Sequence, residues 1–210
     1  MEPRPMKPRP MDVLRPLLTA RGGGGYLPWT EGALSPAAVV EVANEIVFAD
    51  RREIVELGAG VSTVLLGRLL AERGGRITTL EHDPGWASVA RGYISREELP
   101  VRLVEAPLAP CELAIDGAPW YSPQAVAELP GDGIDLLLVD GPPGYGEGME
   151  LSRYPALPAL AGRLAPGAMV VLDDAERPGE HEILRRWGEA HPEWEFAPRG
   201  DTGIAVGVRA

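Results

Sequence analysis

Short apolar runs alternate with longer segments of helical periodicity along most of this chain. Glu53–Leu57, Arg76–Glu81, Val101–Glu105, Ile134–Asp140 and Met169–Asp173 each have the length and β-branched content of a strand. Between them lie segments that predict helices: Ser35-Pro36 to about Ala49, Thr63–Arg73 closed by Gly74-Gly75, and Pro84–Glu97. A short helix capped by Ser122-Pro123 follows, then one from Pro155 to Leu164 and one from Pro178 to about Ala190. Ser35 and Ser122 are N-caps with proline at the first helical position, and Pro155 and Pro158 fall in a first turn where no intrahelical donor is lost. Pro166-Gly167 predicts a turn before the fifth strand. The unbroken run Ile134–Asp140 is expected of a strand buried on both faces. Trp194–Ala197 and Ile204–Val208 close the chain around Arg199-Gly-Asp-Thr-Gly203, a hairpin turn. Strand–helix alternation implies an α/β domain with a doubly wound, mostly parallel sheet, and the hairpin implies that the last strand enters it antiparallel.

Two ends of the chain read differently. Residues 1–25 are expected to be a flexible tail, Pro-rich and basic over residues 1–10 and glycine-rich at Gly22–Gly25, leaving residues 26–210 as one domain. A length of 210 residues is enough for one domain to bury a core without staples.

Charge and composition narrow the partners. A formal net charge of −11 disfavours nucleic acid or an anionic membrane surface, since phosphate binding needs clustered positive charge. No apolar run has the length of a membrane span, and the N-terminal residues carry no signal-peptide core. Cys111 is the only cysteine, which excludes an internal disulfide and fits a cytoplasmic protein. Lys7 is the only lysine, so a P-loop and lysine-based Schiff-base or Tyr/Lys oxidoreductase chemistry are excluded.

The candidate chemistry begins at Ile54-Val-Glu-Leu-Gly-Ala-Gly-Val-Ser-Thr63. A strand runs into a glycine turn and the turn into a helix, which brings backbone close to a ligand and presents free N–H groups. Glu81 ends the next strand, 21 residues after Gly60, where a βαβ unit delivers a carboxylate to a ribose diol. A second constellation is acidic: Asp140 ends one strand, and Asp173 and Asp174 end its neighbour. Open α/β sheets bind ligands at that edge, and three converging carboxylates repel one another unless a hard cation such as magnesium sits among them.

Glu56-x-Gly58-x-Gly60, Glu81, the strand-end Asp140 and the terminal hairpin together resemble the class I S-adenosylmethionine-dependent methyltransferases, over roughly Leu27 to Val208. Val139-Asp-Gly-Pro-Pro-Gly144, Arg153-Tyr-Pro-Ala156 and Leu172-Asp-Asp-Ala-Glu-Arg177 with Glu180 resemble a small-molecule O-methyltransferase branch related to metal-dependent sugar O-methyltransferases and, more distantly, to catechol O-methyltransferase. The resemblance implies a seven-stranded Rossmann-like sheet and a cofactor, S-adenosylmethionine, held by Glu56, Gly58, Gly60, Ser62, Glu81 and His82. Glu56 would read the cofactor's ammonium, Ser62 its carboxylate, Glu81 its ribose, and His82 would flank the adenine. It further implies magnesium on Asp140, Asp173 and Asp174, and methyl transfer to a hydroxyl of a small polar molecule such as a sugar. The branch has a second acid two residues beyond Asp140, credited as general base, where this chain has Pro142; Asp140, Glu180 and His181 stay as candidates. Trp29, Trp86 and Trp120 lie near loops expected over the cofactor end. Two other readings remain: an NAD(P)-dependent oxidoreductase, against which stand Thr63 in place of a third glycine and the missing lysine, and a non-catalytic partner subunit with the same fold. Self-association to a homo-oligomer is left open.

Overall fold

The computed structural model describes residues 9–18, 27 and 29–209. Gly22–Gly25, Tyr26 and most of the Pro-rich stretch lie outside them. Strands β1 (Glu53–Leu57), β2 (Arg76–Glu81), β3 (Val101–Glu105), β6 (Ile134–Val139), β7 (Leu164–Leu172), β8 (Trp194–Pro198) and β9 (Ala205–Arg209) form one sheet in the order β3-β2-β1-β6-β7-β9-β8. The first five of these pair in parallel; β9 runs antiparallel to both β7 and β8. The chain winds outward from β1 through β2 to β3, then crosses back to lay β6 on the opposite side of β1. The crevice beyond the C-terminal ends of β1 and β6 is therefore the topological switch point.

Helices cover both faces. On one, α1 (Pro10–Leu18), α2 (Pro36–Phe48), α3 (Val61–Arg73) and α4 (Pro84–Glu97) pack with Ile54, Ile77, Leu136 and Leu138. On the other, α5 (Pro123–Ala127), α6 (Ala156–Leu160) and α7 (Pro178–Ala190) pack with Val55, Leu57, Leu137 and Val139. Successive residues of β6 thus feed two cores, the physical basis of its uninterrupted apolar run. None of the helices among the described residues is long and apolar enough to cross a membrane.

Several boundaries differ from expectation. Residues 10–18, read as part of a flexible tail, form α1: its Leu14 is buried against the first core, and buried Arg68 donates to the Leu17 carbonyl. Helix α3 starts at Val61 rather than Thr63, with Gly60 as its cap. β7 begins at Leu164, and Pro166-Gly167 is a break in its register with β6 instead of a turn before the strand. The helix expected to reach Leu164 ends at Leu160 and tightens into a 3₁₀ turn over Ala161–Arg163. A small antiparallel pair, β4 (Leu108–Ala109) with β5 (Trp120–Tyr121), lies in a stretch read as loop.

Candidate cofactor and acceptor site

A cavity of about 400 Å³ opens at the switch point. Gly58, Gly60, Glu81, His82 and Trp86 line one side; Asp140, Tyr145, Arg153, Asp174 and Arg177 line the other. The turn after β1 lies against the strand end of β6. Gly58 has φ +95°, and a Cβ there would sit 2.8 Å from the Asp140 carbonyl oxygen, so only glycine fits. Gly60 differs: a Cβ would meet nothing nearer than Ser62 Oγ at 3.7 Å, so its bare backbone leaves room on the ligand side.

Beneath this turn is a buried polar cluster. The Glu56 carboxylate accepts from Ser62 Oγ (2.6 Å), Thr63 Oγ1 (2.6 Å) and Thr79 Oγ1 (2.8 Å) and has no exposed surface. Burial raises its pKa to about 6, against the pull of the three hydroxyl donors. Glu56 and Ser62, expected to touch cofactor, face each other under the loop and do not line the cavity. Glu81 does line it. Its Oε2 accepts from Ala59 N–H and its Oε1 from Asp83 N–H, both at 2.7 Å, which ties the strand end to the glycine turn. His82 Nδ1 lies 3.0 Å from Glu81 Oε1, and that contact raises the imidazole pKa despite partial burial. Of the three tryptophans expected near the cofactor, Trp86 lines the cavity and donates its indole N–H to the Ala59 carbonyl. Trp29 donates to the Leu34 carbonyl and packs on the first core, and Trp120 is buried edge-on to Tyr121.

Across the cavity, Asp140, Asp173 and Asp174 bring carboxylate oxygens within 4.8 Å of one another. Burial holds the Asp140 carboxyl well above the usual range, reinforced by Asp173; Asp173 is raised by burial and by Asp174. Such an oxygen-only set, whose members disfavour each other's charge, fits a hard divalent cation. Arg153 lies among them with 4% of its side chain exposed. Glu180 is buried beside Arg153, at 3.6 Å from its Nη1, and no donor from another residue reaches either carboxylate oxygen. His181 is exposed on α7 and is not brought to the cavity.

The family model described as a methyltransferase domain matches residues 55–175, from β1 through the second acidic strand end. The chain belongs to this family. No curated protein matches it. Among solved structures, an O-methyltransferase from Bacillus cereus in complex with SAH is 23% identical, with a TM-score of 0.62 over 86% of this chain and 84% of that one. TomG from Streptomyces achromogenes, an O-methyltransferase involved in tomaymycin synthesis and solved with SAM, is 18% identical, with a TM-score of 0.61 over 85% and 82%. Cofactor-bound Rv0187 from MTB is 22% identical, with a TM-score of 0.63 over 97% and 99%. These likenesses are of fold: the Rossmann-like sheet with its antiparallel C-terminal pair is the methyltransferase fold.

Within this methyltransferase the structure gathers Gly58, Gly60, Glu81 and His82 on one wall and Asp140 and Asp174 on the other, with the buried Asp173 carboxylate next to theirs. It leaves Glu56 and Ser62 below, Glu180 behind Arg153, and His181 outside. Sequence reasoning missed Thr63 and Thr79 as partners of Glu56, and Trp86 as a staple on Ala59. Thr63, three residues after the cap, was legible as a capping pattern; Thr79 was not, because it meets Glu56 only through the parallel register of β1 and β2.

Proposed function

We propose that this methyltransferase transfers the methyl group of S-adenosylmethionine to a hydroxyl of a small, polyhydroxylated molecule such as a sugar. The observation that carries the reading is one cavity, at the switch point, with a glycine turn and Glu81 on one wall and Asp140 and Asp174 on the other, Asp173 standing beside them. When bound, S-adenosylmethionine supplies a sulfonium-activated methyl group and magnesium supplies a Lewis acid for the acceptor oxygen.

Each wall has its own task. Glu81 would accept from the ribose hydroxyls, His82 would border the adenine, and the bare backbone of Gly60 would allow the methionine end to approach. Asp140, Asp173 and Asp174 would hold the cation and, through it, the acceptor. Methyl transfer would release S-adenosylhomocysteine, and the proton of the acceptor hydroxyl would pass to a base of this chain. Of the three candidate bases, Asp140 alone lines the cavity, so we assign it that role. Tyr145, 72% exposed at the mouth, and Arg177 give the acceptor end a polar rim. The loop 141–150 carries Gly146 and Gly148 at positive φ, a backbone able to close over an acceptor and exclude water.

Calorimetry with S-adenosylhomocysteine is expected to show one site per chain, with no binding of NAD. Glu81→Ala should weaken that binding by about 1.5–3 kcal/mol, the scale of hydrogen bonds to a charged group. Tight NAD binding without a response to S-adenosylhomocysteine would falsify the cofactor assignment. A methyl-transfer screen over sugars, catechols, amines and tRNA, read by product mass mapping, tests the acceptor. Methyl groups on nitrogen or RNA would overturn the acceptor reading alone.

A further inference from the structure

Arg153 has five N–H groups, and the site offers them five acceptors. Nε donates to the Pro142 carbonyl (3.1 Å). Nη1 donates to the Asp173 carbonyl (3.1 Å) and faces Asp174 Oδ2 (3.0 Å). Nη2 donates to the Asp140 carbonyl (3.3 Å) and to Asp140 Oδ1 (3.4 Å). Four of these contacts are hydrogen bonds and the approach to Asp174 is an ion pair, so the side chain is engaged chiefly by the protein although it borders the cavity. Burial works against the guanidinium charge, but Asp140, Asp174 and Glu180 outweigh it and hold the group protonated.

Its acceptors belong to two chain segments, the loop leaving β6 (Asp140, Pro142) and the end of β7 (Asp173, Asp174), whose last direct backbone bond is Asp173 N–H to the Val139 carbonyl (3.0 Å). A rigid planar fork bonded to backbone carbonyls on both sides sets the gap between them. The fork itself is anchored. Ser152 Oγ donates to the Pro143 carbonyl (2.8 Å), and Trp187 Nε1 donates to the Tyr154 carbonyl (2.8 Å), so the residues on either side of Arg153 are fastened to the loop and to α7. Glu180, from the first turn of α7, supplies a further carboxylate, at 3.6 Å from the same Nη1 that faces Asp174. Arg153 takes one oxygen from Asp140 and one from Asp174, leaving the second oxygen of each unengaged by it.

We propose that Arg153 is the positioning residue of the acceptor half of the site: a buried clamp that fixes the spacing of the three aspartates, with Glu180 as its counter-ion. The clamp rests on hydrogen-bond and ion-pair geometry; only its expected effect on magnesium rests on the function proposed above. A lysine in its place keeps the charge but offers three donors from a single nitrogen, so it cannot span both segments.

The test uses the full chain as wild type, Arg153→Lys and Glu180→Gln. Affinity for S-adenosylhomocysteine should fall much less than the magnesium response in both variants, because Arg153 itself bonds no residue of the β1–α3 turn and meets it only through the Asp140 carbonyl that packs on Gly58. Amide hydrogen exchange over 140–144 and 172–176 should accelerate by about tenfold or more in Arg153→Lys, with β2 unchanged. Glu180→Gln should move the same segments in the same direction by less. The magnesium concentration giving half-maximal thermal stabilisation should rise by about 10–100-fold in Arg153→Lys, as for other residues that orient metal ligands. Wild-type exchange in both segments of Arg153→Lys overturns the proposal. So does faster exchange spread evenly through the sheet, which marks loss of stability without a local clamp. If wild type shows no magnesium response, the metal assignment fails, and the exchange data still decide the clamp.

Discussion

Glu56 shows how a residue of the site motif can serve from below. Its carboxylate is enclosed by Ser62, Thr63 and Thr79, with no exposed surface, and its pKa lies near 6 instead of the ordinary 4.5. In the folded chain it holds a proton up to about pH 6; in the unfolded chain it releases it near 4.5. The resulting stability is fully present below 4.5, falls as pH rises to about 6, and is absent above that. The margin of wild type over Glu56→Gln in urea unfolding should therefore shrink by about 2 kcal/mol between pH 4.5 and 7. A margin that is flat with pH would mean that Glu56 titrates alike in both states. Glu81 behaves as its position in the chain implies, since a carboxylate closing β2 can only emerge at the C-terminal edge where the cavity opens. The inward turn of Glu56 was not legible, because it depends on three hydroxyls of which one comes from the neighbouring strand.

At the scale of elements, the start of α3 joins fold and site. Thr63 Oγ1 accepts from Gly60 N–H at 2.8 Å and donates to Glu56, so one side chain caps the helix, shapes the turn and satisfies the buried acid. Thr63→Val removes both bonds, leaving the part-buried Gly60 N–H without its acceptor and the buried Glu56 with two hydroxyl donors instead of three. It should cost about 1–3 kcal/mol in urea unfolding and weaken S-adenosylhomocysteine binding measured by calorimetry. A loss of stability with unchanged affinity would separate the cap from the cofactor turn. Strands β1, β2 and β3 and helix α4 match their expected boundaries, since apolar runs, proline at the first turn and terminal glycines are local signals. Around Pro166-Gly167 local chemistry points to a turn, yet parallel pairing with β6 draws the chain into β7 from Leu164. Helix α1 escaped notice for a related reason: its nine residues are held by Leu14 in a core built from distant elements.

For the molecule as a whole, the sheet order decides what meets what. Placing β6 beside β1 sets Asp140 against Gly58, and placing β7 beside β6 sets Asp173 and Asp174 against Asp140. Magnesium should accordingly raise the melting temperature of the whole domain, since a ligand that binds only the assembled site stabilises the folded state. Asp173→Asn combined with Asp174→Asn should abolish that rise. Identical melting in magnesium and in EDTA would show that the trio needs no cation. The sequence by itself determined the succession of the seven sheet strands and the helices between them, the class of sheet, and both halves of the site as separate motifs, because each rests on residues close together in the chain. Only the tertiary structure decided that Glu56 faces inward, that His181 is outside, and that Arg153 takes its place among the aspartates. Those outcomes depend on strand register and on competition for a limited set of buried donors and acceptors, and both exist only once the sheet has closed around them.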